Sequence, residues 1–212
     1  MQKELRVKQI SILILASTLL FGCVNPINQN TSRNYYEQGE RALQRGNLAV
    51  AKEMFSRSLV NARLGGASPS DEAVLQLKLA RINGNMCLHN EAEKLFIAAI
   101  ENLKKDNDGP GYTFVPRVEY SQYLFDIGKY GKAIPKYKVI ISEAKQLFGE
   151  KDPMSVAALY DDLAFAYEKV GDNANSKLAM QESLEIQKNN TGFTTSKIIK
   201  SRDNYKPYPK TC

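Results

Sequence analysis

The strongest constraint on the fold is a spacing that recurs along the sequence. Four positions, usually a glycine, a small residue, an aromatic residue and an aliphatic residue, repeat at intervals of 41, 41 and 43 residues. The four copies are Gly46, Ala51, Phe55 and Leu59; Cys87, Ala92, Phe96 and Ile100; Gly128, Ala133, Tyr137 and Ile141; and Gly171, Ser176, Met180 and Leu184. A period of this size is typical of stacked repeats, in which each unit buries its apolar face against its neighbours.

A second column of small residues precedes the turn glycine in every copy. Its members are Gly39, Ala80, Ser121 and Ala164. Small side chains let two helix axes approach to about 8–10 Å. Both columns resemble the tetratricopeptide repeat over residues 34–187, and the long period is similar to the kinesin light chain type of that repeat. The resemblance implies an all-α, right-handed superhelical solenoid of about four helix pairs.

The boundaries of the helices follow from turn and capping residues. The first helix is predicted to start near Asn34, after a polar segment, and to end at Gly46. Ser68 and the residues after it predict a break and a new N-cap. The segment Lys105–Arg117, with Gly109-Pro110-Gly111, predicts a surface connection between the second and third copies. The predicted repeat domain covers residues 34–189.

The charge is concentrated at the two ends of the chain. Residues 1–22 and 188–212 carry 9 basic and 2 acidic groups, whereas residues 23–187 carry 20 basic and 21 acidic groups. The central part is therefore nearly neutral despite the formal net charge of +6. A nucleic-acid partner is not implied.

The N-terminus has the pattern of a secretion signal. Basic residues precede an apolar run of 12 residues, Ile10–Phe21, which is too short to span a bilayer. The sequence Leu20-Phe21-Gly22-Cys23 resembles the lipobox of bacterial lipoproteins, which implies cleavage after residue 22 and acylation (palmitate) of Cys23. An ordinary cleaved signal with an incidental cysteine is the alternative.

The lipoprotein resemblance implies a place in the bacterial cell envelope. Val24 follows the lipidated cysteine, which favours the outer membrane facing the periplasm, and the inner membrane is the alternative. Residues 23–33 are polar and are interpreted as a flexible tether.

The sequence contains none of the usual catalytic or cofactor signatures. It has one histidine, no metal-binding Cys or His motif, no nucleophile elbow and no phosphate-binding glycine loop. His89 stands at a packing position shared with Leu48 and Tyr130, and is interpreted as a packing residue. We therefore expect a non-enzymatic protein without metal or cofactor.

Two cysteines remain if Cys23 carries lipid. Cys87 occupies the turn position that holds glycine in the other copies, and Cys212 is the last residue. An oxidising compartment favours their pairing, so a Cys87–Cys212 disulfide is one hypothesis. A buried Cys87 with a loose Cys212 is the other, because sequence does not give the distance between them.

The basic tail, residues 190–212, has two interpretations. Its apolar residues Phe193, Ile198 and Ile199 predict a cap on the last repeat. Its lysines would instead suit an anionic envelope glycan or lipid, such as peptidoglycan or lipopolysaccharide.

The resemblance also implies where a partner binds. In tetratricopeptide repeats the first helix of each pair lines a concave groove, and the corresponding positions here are Tyr36, Glu40, Arg81, Asn85, Gln122, Asp126, Asp161, Phe165 and Lys169. This mixture of charges, amides and aromatics suits a peptide or helix of another protein. The expected function is thus a membrane-anchored scaffold for envelope proteins in secretion, pilus or outer-membrane assembly, or cell-wall enzyme control. A module for an envelope glycan or lipid is the alternative.

Overall fold

A computed structural model describes residues 25–106, 109–190 and 206–212. Within these residues the chain forms eight α-helices and no strand. The helices are α1 (Pro26–Gln44), α2 (Leu48–Leu64), α3 (Pro69–Asn85), α4 (His89–Lys105), α5 (Gly109–Asp126), α6 (Tyr130–Phe148), α7 (Pro153–Lys169) and α8 (Asn173–Asn189). The chain divides into two compact units, unit 1 (Met1–Leu75) and unit 2 (Gln76–Cys212), and the boundary falls within α3.

The turns within the helix pairs have the backbone conformation that the repeat predicts. Gly46, Gly128 and Gly171 have φ values of 71°, 82° and 80°. This left-handed conformation ends a helix and is cheapest for glycine. Cys87 adopts it too, with φ 56°, although it has a side chain. The second copy therefore has the same left-handed turn, although its turn residue is not glycine.

Unit 1 is built on the close crossing of α1 and α2. Phe55 is fully buried, and the edge of its ring faces the ring of Tyr36 at 5.4 Å between centroids. A Cβ atom on Gly39 would lie 2.8 Å from the Phe55 ring, so only glycine allows this approach. Ser32 and Ser58 each donate a hydroxyl hydrogen bond of 2.9 Å to the other's carbonyl oxygen. These contacts confirm the predicted role of the small-residue column.

Helix α1 begins well before the predicted position. It starts at Pro26, and the side chain of Asn25 accepts hydrogen bonds from the first backbone N–H groups. Residues 26–33 are therefore helical, and the prediction of a flexible tether there is wrong. The reason is a long-range contact: the amide of Gln29 donates to the Gly65 carbonyl oxygen (3.3 Å), which caps the end of α2.

The predicted helix start after Ser68 is confirmed, and α7 starts in a similar way at Pro153. The Ser68 hydroxyl accepts from the Asp71 N–H (3.1 Å), and the Asp71 carboxylate accepts from Ser68 in return. At the start of α7, Asp152 accepts from the Ser155 N–H (3.2 Å). A proline follows the cap in both helices, where its missing N–H costs nothing.

The core of unit 2 follows the repeat columns. Phe96 and Tyr137 are fully buried, and the small residues around them, Ala80, Ala92, Ser121, Ala133 and Ala164, are buried as well. Consecutive helices from α4 to α8 pack against one another. The positions that repeat in the sequence are therefore the positions where helices meet.

The segment Lys105–Arg117 is not the long surface connection that its glycines and prolines predicted. Helix α5 starts at Gly109, and Pro116 lies inside it. Phe114 is only 2% exposed and packs against Phe148 at 5.2 Å between ring centroids. Burial of Phe114 outweighs the cost of one proline in the helix.

The fourth copy departs from the column at its end. Leu184 is 56% exposed, and Ala179 and Ser183 are the buried residues of α8. α8 is the last helix that the structure describes. In it, the position that is buried in the earlier copies is exposed, as Leu184 shows. Terminal repeats characteristically differ in this way.

Candidate functional site

The candidate site is a groove on α3 and α5 of unit 2, which we call the α3–α5 groove. It is formed by Arg81, Gly84, Glu119, Tyr123 and Asp126. The last residues of the chain, Lys206–Cys212, lie in it without regular secondary structure, and we call them the C-terminal segment. The groove thus holds an extended piece of polypeptide.

Tyr208 is the central residue of the C-terminal segment. It is 8% exposed, and the edge of its ring meets the ring of Tyr123 at 5.0 Å between centroids. A Cβ atom on Gly84 would lie 2.8 Å from the Tyr208 ring. Gly84, in the last turn of α3, therefore opens the slot that accepts the aromatic side chain.

Polar groups satisfy both the side chain and the backbone of Tyr208. Its hydroxyl donates to Glu119 Oε1 (3.3 Å), and its N–H donates to Asp126 Oδ2 (3.2 Å). Arg81 fixes Glu119 by two hydrogen bonds of 2.6 Å. Burial, together with Glu119, raises the pKa of Tyr208 far above its ordinary value. The hydroxyl is therefore a neutral donor at any physiological pH.

Lys210 extends the contact to α4 and α6. Its carbonyl oxygen lies 3.0 Å from His89 Nε2, and its ammonium group donates to the Tyr130 hydroxyl (3.3 Å). Since a carbonyl oxygen only accepts, His89 Nε2 carries a proton. The other ring nitrogen, Nδ1, lies 3.1 Å from the Tyr123 hydroxyl, which donates to the His89 carbonyl oxygen (3.2 Å). His89 therefore links the groove wall to the C-terminal segment, a role beyond packing.

A disulfide closes the end of the segment. Cys212 is bonded to Cys87, with a Cα–Cα distance of 5.8 Å and a sequence separation of 125 residues. Cys87 lies at the turn between α3 and α4, directly after the wall of the groove. The bond fixes the last residue of the chain next to the slot for Tyr208.

The predicted groove residues fall into three groups. Arg81, Asn85 and Asp126 lie at the C-terminal segment, with Asn85 O 3.9 Å from the Cys212 sulfur. Gln122 is half-buried on the same helix as Asp126, and Tyr36 and Glu40 are half-buried in unit 1. The remaining three, Asp161, Phe165 and Lys169, lie on α7 and take no part in the contacts of the C-terminal segment given above.

Four residues of the site do not appear among the sequence predictions of binding positions. They are Gly84, Glu119, Tyr123 and Tyr208. Gly84 stands out in the sequence as a glycine inside a helical pattern, which signals a close approach. No local sequence pattern distinguishes Glu119, Tyr123 and Tyr208 as residues of a binding site. The predicted lipidation site Cys23 and the predicted cap residues Phe193, Ile198 and Ile199 lie outside the described residues.

A second polar cluster lies between α4, α5 and α6. Glu93 accepts from Lys129 and Lys132 (2.7 Å each) and from the Tyr120 hydroxyl (3.1 Å). Glu93, Tyr120 and Lys132 border a cleft of about 660 Å³. Burial of Glu93 acts to raise its pKa, but the hydrogen bonds from the two lysines outweigh it and lower the pKa to about 2. The carboxylate is therefore ionised throughout the physiological range.

This cluster predicts a pH-dependent contribution to stability. The folded-state pKa of Glu93 lies below its ordinary value of 4.5, so its contribution is full above pH 4.5 and is lost as the pH falls toward 2. Glu93→Gln should lower the free energy of unfolding by about 1–2 kcal/mol at pH 7, and the difference from the wild type should shrink below pH 4.5. Urea unfolding across this range measures it. Glu101→Gln, an exposed position on the same helix, is the control and should show no such trend.

Solved structures show the fold. BtubC from P. vanneervenii superposes with a TM-score of 0.65 at 17% identity, over 78% of this chain and 66% of that one. A kinesin light chain protein of Podosopora anserina with TPR-like repeats gives TM-scores of 0.64 and 0.63 in two crystal structures, each at 15% identity. The first of these matches covers 88% of this chain and 87% of that chain, the second 85% of each.

The sequence comparisons give no further assignment. No family model matches the chain, and no curated protein matches it. The structural likeness confirms the predicted fold class, an all-α solenoid of tetratricopeptide-like repeats similar to those of kinesin light chain. Since the identities are 15–17%, the likeness concerns the fold alone.

Two properties of the described residues bear on the kinds of site available. They contain no group of three or more His, Cys, Asp or Glu side chains arranged to hold a metal ion. Among their helices, none combines the length and the apolar character that crossing a membrane requires.

Proposed function

We propose that this chain is a non-enzymatic scaffold that binds other proteins through the helices of its repeats. The observation that carries the proposal is the α3–α5 groove, where side chains bind both the backbone and an aromatic side chain of an extended segment. Main-chain contacts of this kind supply affinity for any extended peptide, and a side-chain slot supplies selectivity. The tetratricopeptide-like fold supports the same conclusion, because its stacked helices offer an extended binding face.

We further propose that the scaffold acts in a bacterial cell envelope. The apolar run and the Leu20-Phe21-Gly22-Cys23 sequence support a lipid anchor on Cys23. Several acyl chains, at about 0.8 kcal/mol for each buried methylene, make such an anchor effectively permanent. Anchoring in the outer membrane, with the repeats in the periplasm, would place other envelope proteins within reach of the helices. Secretion, pilus or outer-membrane assembly and cell-wall enzyme control are the processes this arrangement suits.

Photo-crosslinking in a bacterial host tests the proposal at a position independent of the C-terminal segment. A crosslinking amino acid replaces Phe165, a predicted groove residue that is 47% exposed on α7. The matched control replaces Lys138, an exposed residue of α6. We expect discrete protein adducts from position 165, few from position 138, and recovery of the adducts in the membrane fraction.

One result would count against the scaffold function, and another against the lipid anchor. Equal adducts from positions 165 and 138 would show that α7 has no selective binding face. A Cys23→Ser variant that stays in the membrane fraction with unchanged adducts would contradict the lipid anchor while leaving the scaffold function standing.

A further inference from the structure

The C-terminal segment lies in the α3–α5 groove as a bound peptide would. Pro207 and Pro209 flank Tyr208, and the fixed φ of proline favours the extended chain. Tyr208 and Lys210 are two residues apart, and both side chains contact the helices of unit 2. The groove receives one in the Gly84 slot and the other at the Tyr130 hydroxyl.

The groove walls define what this site selects. Glu119, held by Arg81, accepts a phenolic hydroxyl, and Asp126 accepts the N–H of the same residue. His89 donates to a carbonyl oxygen two residues later. Tyr130 accepts from an ammonium group, which also lies 5.7 Å from the centre of the Tyr130 ring. These contacts describe a tyrosine followed two residues later by a lysine.

We infer that the α3–α5 groove is a receptor for an extended Tyr-x-Lys segment of another protein, and that the C-terminal segment is its intramolecular competitor, locked in place by the Cys87–Cys212 disulfide. This inference rests on the proposed scaffold function and names the partner class for one of its faces. Reduction of the Cys87–Cys212 disulfide requires a protein reductant that carries a dithiol. The S–S bond accepts two electrons and two protons and becomes two thiols, while the dithiol becomes a disulfide.

Reduction weakens the competitor without removing it. A reduced C-terminal segment stays part of the same chain as the groove, and such covalent linkage can keep it at an effective concentration in the millimolar range. The groove therefore has three different affinities for a peptide added from outside. The groove is closed in the oxidised protein, contested in the reduced protein, and open only where the segment has lost its affinity.

The test measures fluorescence anisotropy of a labelled synthetic peptide, Lys206–Thr211, added to full-length protein. The proteins are the oxidised wild type, Cys212→Ser, and Cys212→Ser combined with Tyr208→Ala, which empties the groove but keeps every helix. Affinity should rise in that order, with the double variant binding at least ~10-fold more tightly than the oxidised wild type. Circular dichroism shows that each variant is folded.

Two matched controls test the slot itself. A peptide with alanine in place of tyrosine should not bind the double variant. Adding Gly84→Ala to the double variant should also abolish binding, since a Cβ there would lie 2.8 Å from the ring of a bound tyrosine. The same Cβ would lie 3.1 Å from the Tyr123 ring, so circular dichroism must show that this variant is folded.

Three results would overturn the inference. A folded double variant that does not bind the peptide would show that the groove is not a receptor. An oxidised wild type that binds as tightly would show that the C-terminal segment does not compete. Disulfide-linked dimers on a non-reducing gel would place the segment in a second copy. Retained adducts at position 165 would leave the scaffold function intact in each case.

Discussion

Replacing Phe96 with alanine should lower the free energy of unfolding of unit 2 by about 3–5 kcal/mol. Phe96 is fully buried, and its ring lies 5.5 Å from the Tyr120 ring and 5.1 Å from the Tyr123 ring. The substitution loses the transfer free energy of the ring and leaves a cavity, because the surrounding side chains relax only partly into the space. Tyr123 also contacts Tyr208, so the C-terminal segment loses part of its support.

Denaturant unfolding followed by circular dichroism measures the change, and a matched control is available in the same unit. Phe165→Ala removes the same ring from a side chain that is 47% exposed and should change stability by no more than about 0.5 kcal/mol. Equal losses from the two substitutions would contradict the assignment of Phe96 to the core. The midpoint should shift without a change in the slope, since the surface exposed on unfolding stays nearly the same.

Phe96 also illustrates what was predictable from the sequence. It belongs to a column that recurs because each helix crossing requires a small residue facing a large one, as with Gly39 and Phe55. The same packing arrangement occurs in the first three copies, so it repeats in the sequence and is visible without a structure. The turn glycines are visible for the same reason, since each ends a helix in the left-handed conformation.

The boundaries that were mispredicted depend on contacts distant in sequence. Residues 26–33 are polar and look like a tether, but Gln29 bonds to the end of α2, 36 residues away. Pro116 looks like a break, yet burial of Phe114 keeps the helix continuous. Local propensity is a weak term in both cases, and tertiary packing outweighs it.

The candidate site was predictable only in part. The resemblance to the tetratricopeptide repeat implied Arg81, Asn85 and Asp126 as groove positions, and these three lie at the C-terminal segment. The position of the C-terminal segment does not follow, because it depends on whether Cys87 and Cys212 approach each other across 125 residues. That distance is a property of the folded chain, and so is the slot that Gly84 opens for Tyr208.

Cys212→Ser should lower the free energy of unfolding by about 2–4 kcal/mol relative to the oxidised wild type. The disulfide closes a loop between residues 125 apart in sequence, so its removal restores considerable conformational freedom to the unfolded chain. Denaturant unfolding without reductant measures the loss. Adding a reductant should bring the wild type down to the variant, whereas the variant should not respond.

Cys87→Gly removes the same disulfide and should cost about 1 kcal/mol less than Cys212→Ser. The two variants lose the same covalent constraint, but position 87 has φ 56°, a conformation that costs a residue with a Cβ about 1 kcal/mol or more. Glycine restores the residue that Gly46, Gly128 and Gly171 supply at the equivalent turns. Equal stabilities of the two variants would show that the disulfide, and not the backbone, sets the conformation of residue 87. A Cys87→Gly variant that is more stable than Cys212→Ser would mean that cysteine at position 87 destabilises this turn, while its disulfide holds the C-terminal segment in the groove.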